Sequence, residues 1–209
     1  LEAAWGFRAR NANYGVTDVL CNFAGQCEHS NDLHFVALDL LYPELIDPDS
    51  REPLAWDEDV EGELVLTHLA RECQPLVRFR TGDIIVITGT GPCACGRIMP
   101  RFRVLGRSDD MVVVRGINVF PTAVAELVNS FSELSGEFRI VLAGPGPFEQ
   151  LPLEAELATG REAAAATATS LAQSIKNRLG ITAQVALASP GSLPRTAGKT
   201  RRVIHKEKP

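Results

Sequence analysis

The chain has no apolar run long enough to cross a bilayer and no basic, apolar and small-residue series of a secretory leader. That excludes a spanning helix and places the chain in the cytosol. A basic surplus is also missing: 21 Lys and Arg stand against 26 Asp and Glu, for a net charge of -5. Without a cationic stripe to neutralise phosphates, a nucleic-acid binder is excluded. Lys199, Arg201, Arg202, Lys206 and Lys208 gather at the end, around a strand-like Val203-Ile204, and read as a solvated tail. The five cysteines are odd in number, which suits a reducing compartment and speaks for metal binding or incidental thiols over a disulfide framework. No long helical pattern occurs between residues 30 and 105, and the chain opens without a start signal. Leu1 to Arg10 reads as the end of a helix and a Gly6 turn into a strand Phe7 to Asn11, so the sequence has the look of a piece of something longer.

What is present is enough apolar material, 45% of 209 residues, for one or two domains with real cores. The organising stretch is Gly106 to Pro121. The run Met111 to Val114 reads as a strand, Arg115-Gly116 as a hairpin tip, and Ile117 to Phe120 as the return strand. The Arg-Ser-Asp-Asp turn before it reads as a joint between residues 1–107 and 108–209. The first body is β-rich. Leu33 to Val36 and Leu38 to Ile46 are strand-like, with Pro43 marking an edge, Gly62 to Thr67 alternates with period two, and Pro75 to Arg80 and Ile84 to Thr88 flank a Thr81-Gly82-Asp83 bend. The second body has Thr122 capping a helix, strands Phe138 to Ala143 and Leu151 to Ala158, a helix Ala163 to Leu179 ended by Gly180, and a strand Thr182 to Ala188. The expected class is α+β.

Several short motifs carry possible chemistry. Tyr14-Gly15-Val16-Thr17-Asp18 sets a ring, a hydroxyl and a carboxylate on one loop, a useful set for a base, a phosphate and a cation, and equally a capped turn. Asp83 after Gly82 suits a ribose diol or its own turn. Lys199, between Pro194 and Thr200 with Gly198, suits an anionic oxygen, and it lacks the strand and helix context of a P-loop. Cys93 and Cys95 in a Gly/Pro-rich turn, with Cys27 and His34 on another loop, make a Cys3His set for tetrahedral, structural zinc. His29 competes with His34 as fourth ligand, and free thiols with a core histidine are the other reading. Cys21 and Cys73 have no partner in this scheme and are expected to be buried or incidental.

Together, Tyr14 to Asp18, Arg80 to Asp83, Gly106 to Met111 with Gly116 to Pro121, and Pro194 to Lys199 resemble the adenylate-forming acyl-CoA synthetases in order and spacing. Gly116-Ile117-Asn118-Val119-Phe120-Pro121 and Pro92-Cys93-Ala94-Cys95-Gly96-Arg97 make the resemblance closest to phenylacetate-CoA and related aryl-CoA ligases. The resemblance implies the end of a large adenylation domain followed by a small mobile lid. It also implies an enzyme that uses ATP and magnesium to make an acyl-adenylate from an aryl carboxylate, then coenzyme A to make a thioester. Tyr14 would stack on adenine with Gly15 beside it, Thr17 touch the α-phosphate, Asp18 help hold magnesium, and Asp83 bind ribose with Arg107 nearby. Lys199 would bridge carboxylate and phosphate oxygens, Asp109 serve as hinge, and Gly116 line the coenzyme A tunnel. Asp18 stands where Glu is usual, and Ala125 where an acidic residue is expected. The Ser/Thr/Gly-rich phosphate loop is missing, so this chain alone is expected to lack ligase activity. A homodimer is compatible with the resemblance. The rival readings are a zinc-stapled interaction module with a vestigial nucleotide site, and an adenylating enzyme that serves a non-CoA acceptor.

Overall fold

The computed structural model describes residues 2–10, 13–144, 146, 148–161, 165–195 and 202–206. The chain divides into two compact units, Leu1–Ser108 and Asp109–Pro209. No helix among the described residues is long and apolar enough to cross a membrane.

The first unit opens with a single helical turn, α1 (Glu2–Trp5), closed by Gly6 at φ +67. The strand expected at Phe7 to Asn11 does not form over the described residues 7–10. Phe7 is 53% exposed, and an extended segment with neither a burial partner nor a ladder has nothing to hold it. Eight strands follow: β1 (Tyr14–Val16), β2 (Cys21–Gly25), β3 (Leu33–Phe35), β4 (Leu41–Ile46), β5 (Pro53–Leu54), β6 (Glu61–His68), β7 (Phe79–Gly89) and β8 (Arg101–Arg107). They form one sheet in the order β1-β2-β3-β8-β7-β6-β4-β5, antiparallel at every pairing. Phe23, Phe35, Leu41, Leu45, Leu64, Leu66, Ile85, Ile87 and Phe102 form its core. Each such side chain contributes roughly 1.5–3 kcal/mol on burial.

Three local expectations change. Leu38 to Leu40 stay outside β4, which begins at Leu41; β5 reaches only Leu45 and Ile46, so Pro43 does sit where that edge carries no partner strand. Gly62 to Leu66 is buried on both faces instead of alternating, and it includes a buried Glu63. The bend expected at Thr81-Gly82-Asp83 is a bulge within one continuous strand, because Val65 pairs with Arg80 while Glu63 pairs with Ile84, leaving those three residues opposite Leu64 alone.

The second unit begins with the hairpin β9 (Val112–Val114) and β10 (Ile117–Val119). Its tip, Arg115 at φ 49 and Gly116 at φ 81, uses two left-handed residues, as a two-residue turn matching strand twist requires. Helix α2 (Pro121–Asn129) takes Phe120 as N-cap and Pro121 within its first turn. Thr122 is therefore inside the helix and is not its cap; proline's fixed φ and missing N–H suit the first helical position better. Next come β11 (Leu134–Ala143), β12 (Leu151–Leu157), α3 (Ala165–Leu179), β13 (Ala183–Ala188) and β14 (Val203–Lys206). The sheet order is β13-β12-β11-β14, with β11 antiparallel to β12 and the two outer pairings parallel. Gly180, at φ 72, ends α3 with its N–H on the Lys176 carbonyl. Helix α2 packs on β11, α3 on β13, and the helices touch each other, enclosing Val124, Val128, Phe138, Ile140, Leu153, Leu171 and Ile175. The expected solvated tail is overturned at Val203 to Lys206, where a buried Val203 anchors a full sheet strand.

Candidate functional site

Three strands bring Tyr14, Asp83 and Arg107 together. Tyr14 lies on β1, not on a loop, and β1 slips register against β2 between Tyr14 and Gly15. A Cβ at Gly15 would stand 2.4 Å from the Cys21 carbonyl oxygen, so only glycine lets the two backbones approach this closely. The Tyr14 ring meets Phe23 edge-on at 5.0 Å and Phe102 at 6.0 Å between centroids, which fixes its plane. Its hydroxyl donates to Asp83 Oδ2 at 2.8 Å. Burial, then the charge of Asp83, pushes the Tyr14 phenol far above its ordinary pKa, so it remains a protonated donor.

The β7 bulge presents Asp83, and the end of β8 presents Arg107, whose Nη1 lies 3.4 Å from Asp83 Oδ1 and 3.2 Å from the Thr81 carbonyl. A carboxylate with each oxygen held by one neighbour still has acceptor capacity for a pair of vicinal hydroxyls. Beyond β1, Thr17 and Asp18 form an exposed turn bordering a groove of about 270 Å³ lined by Gly15, Val16, Thr17, Leu20, Cys21 and Asn22. Arg71 donates to the Asp18 carbonyl, and Asp18 is exposed. The other candidates stand in the second unit: Asp109 is exposed in the short turn Ser108–Asp110, and Gly116 is at the hairpin tip. Lys199 lies outside the described residues.

A second cluster joins Cys27, His34, Cys93 and Cys95, whose ligand atoms all lie within 4.8 Å of one another. His34 is on β3 and is fully buried, while Cys27 sits in the turn after β2, so the two do not share the loop expected for them. Cys27 Sγ and Cys93 Sγ are 3.8 Å apart, and Cys95 Sγ is 3.9 Å from His34 Nε2. Two sulfurs each about 2.3 Å from a tetrahedral metal stand about 3.8 Å apart, so the spacing fits zinc. The backbone N–H of Arg97 leads the causes that hold the Cys95 thiol down at about 6, the thiolate form a metal needs. Burial, with Arg97 and Arg101 nearby, lowers His34 and keeps its imidazole neutral. His29 is not in the cluster; it pairs with Glu28 at 3.2 Å. Neither remaining cysteine is buried, Cys21 being half-buried and Cys73 exposed.

Residues 116–207 match the AMP-binding enzyme C-terminal domain. Over 98% of its length the chain is 32% identical to a phenylacetate-coenzyme A ligase of Thermus thermophilus, and over 91% it is 34% identical to that of Escherichia coli. Its fold superposes with a TM-score of 0.83 and 30% identity on 2-hydroxyisobutyryl-CoA ligase in the postadenylation state in complex with 2-HIB-AMP, covering 98% of this chain and 44% of that one. Residues 116–207 thus belong to the AMP-binding enzyme C-terminal domain family, and the chain as a whole resembles part of a phenylacetate-coenzyme A ligase. It spans about half the length of the curated relatives it matches, 49% and 44% for these two.

Two buried carboxylates are not anticipated by the sequence pattern. Glu63, 1% exposed, sits under the β7 bulge; its only signal was an acid inside the otherwise apolar run Gly62 to Leu66. Glu156, also 1% exposed, alternates with the inward residues of β12 and so reads as solvent-facing. It is covered by the segment after β13, where the Leu193 N–H and the Arg195 guanidinium both donate to it.

Proposed function

We propose that this chain supplies the ribose and adenine side of the active site, and the lid, of an ATP-dependent aryl-acid–CoA ligase acting on phenylacetate or a related acid. The observation that carries the reading is the convergence of Tyr14, Asp83 and Arg107 from three strands on one carboxylate. Tyr14 offers its ring to adenine while its hydroxyl holds Asp83, and Asp83 accepts the ribose hydroxyls beside Arg107. Thr17 touches the α-phosphate. Magnesium binds through one or two carboxylates together with phosphate and water oxygens, and the exposed Asp18 carboxylate fits as its single ligand from this chain. When bound, it neutralises phosphate charge.

Lys199 acts as a point charge between the acyl carboxylate and the α-phosphate, where negative charge builds as the mixed anhydride forms and pyrophosphate leaves. Asp109, the first residue of the second unit, is the pivot, and the Gly116 hairpin serves the thioester step, in which the coenzyme A thiol attacks the acyl carbon and AMP departs. The Cys27, His34, Cys93 and Cys95 set holds a structural zinc, since four protein ligands close the coordination shell and leave no catalytic position.

The test uses the complete ligase and Asp109→Pro, which fixes φ near about −65° at the pivot. ATP–pyrophosphate exchange with phenylacetate and a panel of aryl and aliphatic acids reads the first step, and release of acyl-CoA reads the second. Exchange should survive in the variant while thioester formation drops at least a hundredfold. Equal loss of both steps removes the hinge role, and absence of aryl-dependent exchange in the wild type removes the ligase reading itself.

A further inference from the structure

Where β6 and β7 slip register, three residues of β7 face Leu64 alone, so the ladder offers no carbonyl to the Gly82 N–H. The Glu63 side chain takes that place: Oε1 accepts the Gly82 N–H at 3.1 Å. Oε2 accepts from Arg80 Nε at 2.9 Å, and Arg80 Nη2 also reaches both Glu63 and the Pro48 carbonyl. Thr81 completes the hold, donating through Oγ1 to the Leu64 carbonyl at 2.7 Å and accepting the Asp83 N–H at 3.1 Å. From the other side Arg107 closes the space over Gly82, where a Cβ would meet Nη2 at 2.8 Å. The bulge is thus pinned from two directions, and the residue it aims is Asp83.

We propose that Glu63 is a positioning residue for the nucleotide site: its buried carboxylate locks the Thr81-Gly82-Asp83 bulge and thereby sets how selectively Asp83 grips a ribose diol. Stability alone gives little reason for the arrangement, because a buried ion pair is often no more stabilising than apolar residues of the same volume. Geometry gives a better one. Without the carboxylate, the Gly82 N–H loses its partner and the Arg80 guanidinium keeps only the Pro48 carbonyl, and the cheapest repair is a change of register at the bulge, which turns Asp83 away from Tyr14. The inference rests on the reading of Asp83 as the ribose contact.

The experiment measures ATP–pyrophosphate exchange by the complete ligase with ATP and with 3′-deoxy-ATP, and takes the ratio of the two kcat/KM values. Hydrogen bonds to a charged acceptor give an expected wild-type preference of roughly tenfold or more for ATP. Asp83→Asn should bring that ratio close to one. Glu63→Gln should lower it at least threefold, because 3′-deoxy-ATP has less to lose. A merely structural role would slow both nucleotides equally and keep the ratio. A wild-type ratio in Glu63→Gln, beside a collapsed ratio in Asp83→Asn, overturns the proposal and leaves the ribose reading standing. No preference in the wild type, or an unchanged one in Asp83→Asn, overturns both. Should Glu63→Gln fail to fold, Arg80→Lys removes the Nε donor while keeping the charge, and the same ratio decides.

Discussion

Replacing Glu156 by Gln tests the core of the second unit without touching a residue of the proposed nucleotide site. The carboxylate accepts from Ser135 Oγ at 3.0 Å, the Leu193 N–H at 3.0 Å and Arg195 Nη1 at 3.0 Å, and Arg195 Nη2 adds a further bond. Glutamine keeps one acceptor oxygen, so one of the buried donors loses its partner and the charge assistance from Arg195 disappears. A lost donor costs about 1–3 kcal/mol, and hydrogen bonds to a charged group are worth about 1.5–3 kcal/mol. Arg195 is half exposed, which discounts its share, and about 3 kcal/mol remains. For a unit of this size that is a fall of roughly 15 °C in the thermal transition of the second unit, read by calorimetry on the whole chain.

The sign of the pH dependence makes the test sharper. Arg195 leads the causes that lower Glu156 from an ordinary value of 4.5 to about 2 in the fold. A depressed carboxylate contributes its stability above the unfolded pKa, and loses it as pH falls from there through the folded pKa. The gap between wild type and variant should therefore be constant above about pH 5 and should close between pH 4.5 and 2. A gap that persists unchanged down to the acid limit, or a variant as stable as wild type at neutral pH, would refute the reasoning.

Zinc content and two glycine substitutions give further tests. Protein purified without chelator should carry about one equivalent of zinc, and stripping it should cost roughly 4 kcal/mol relative to free zinc held a thousandfold above its dissociation constant; elemental analysis finding less than about half an equivalent counts against the site. Gly15→Ala should destabilise by about 1–3 kcal/mol, because its Cβ would strike the Cys21 and Asn22 backbone and force β1 from β2. Chemical denaturation showing Gly15→Ala as stable as wild type would contradict the close-approach argument, while Gly116→Ala, which meets nothing within 4 Å, should cost only the left-handed conformation, about 1–2 kcal/mol.

Patterns held within a few consecutive residues were the most legible in the sequence. The hairpin around Arg115-Gly116 follows from a glycine that tolerates positive φ between β-branched runs, and Gly180 closes α3 where an apolar helical period stops. The α+β class follows from such local signals. What escaped depends on partners remote in sequence. The bulge at Gly82 read as a bend, because a glycine between two apolar runs looks the same in either setting until β6 is in place. Glu156 obeys strand alternation and Glu63 stands inside an apolar run, and only the segment carrying Leu193 and Arg195 in one case and Arg80 in the other shows why each carboxylate is buried. Among the candidate site residues, Cys27, His34, Cys93 and Cys95 follow from ligand chemistry, and the strand-like run Leu33 to Val36 already holds His34, while the register that sets His34 opposite Arg101 depends on a strand remote in sequence.

That register has a kinetic side. Strand β3 meets β8 through only two residue pairs, Leu33 with Phe102 and His34 with Arg101, and this short seam joins the three strands nearest the beginning of the chain to the rest of the sheet. The cluster of Cys27, His34, Cys93 and Cys95 straddles the same seam, bringing together residues 61 and 66 apart in sequence, and the Tyr14–Asp83 hydrogen bond spans it from 69 apart. Contacts of such separation form late, since the long loop must be closed before they yield anything. A zinc ion held by Cys27, His34, Cys93 and Cys95 as proposed would tie the two sides of this seam together and so shorten the search by which Tyr14 reaches Asp83.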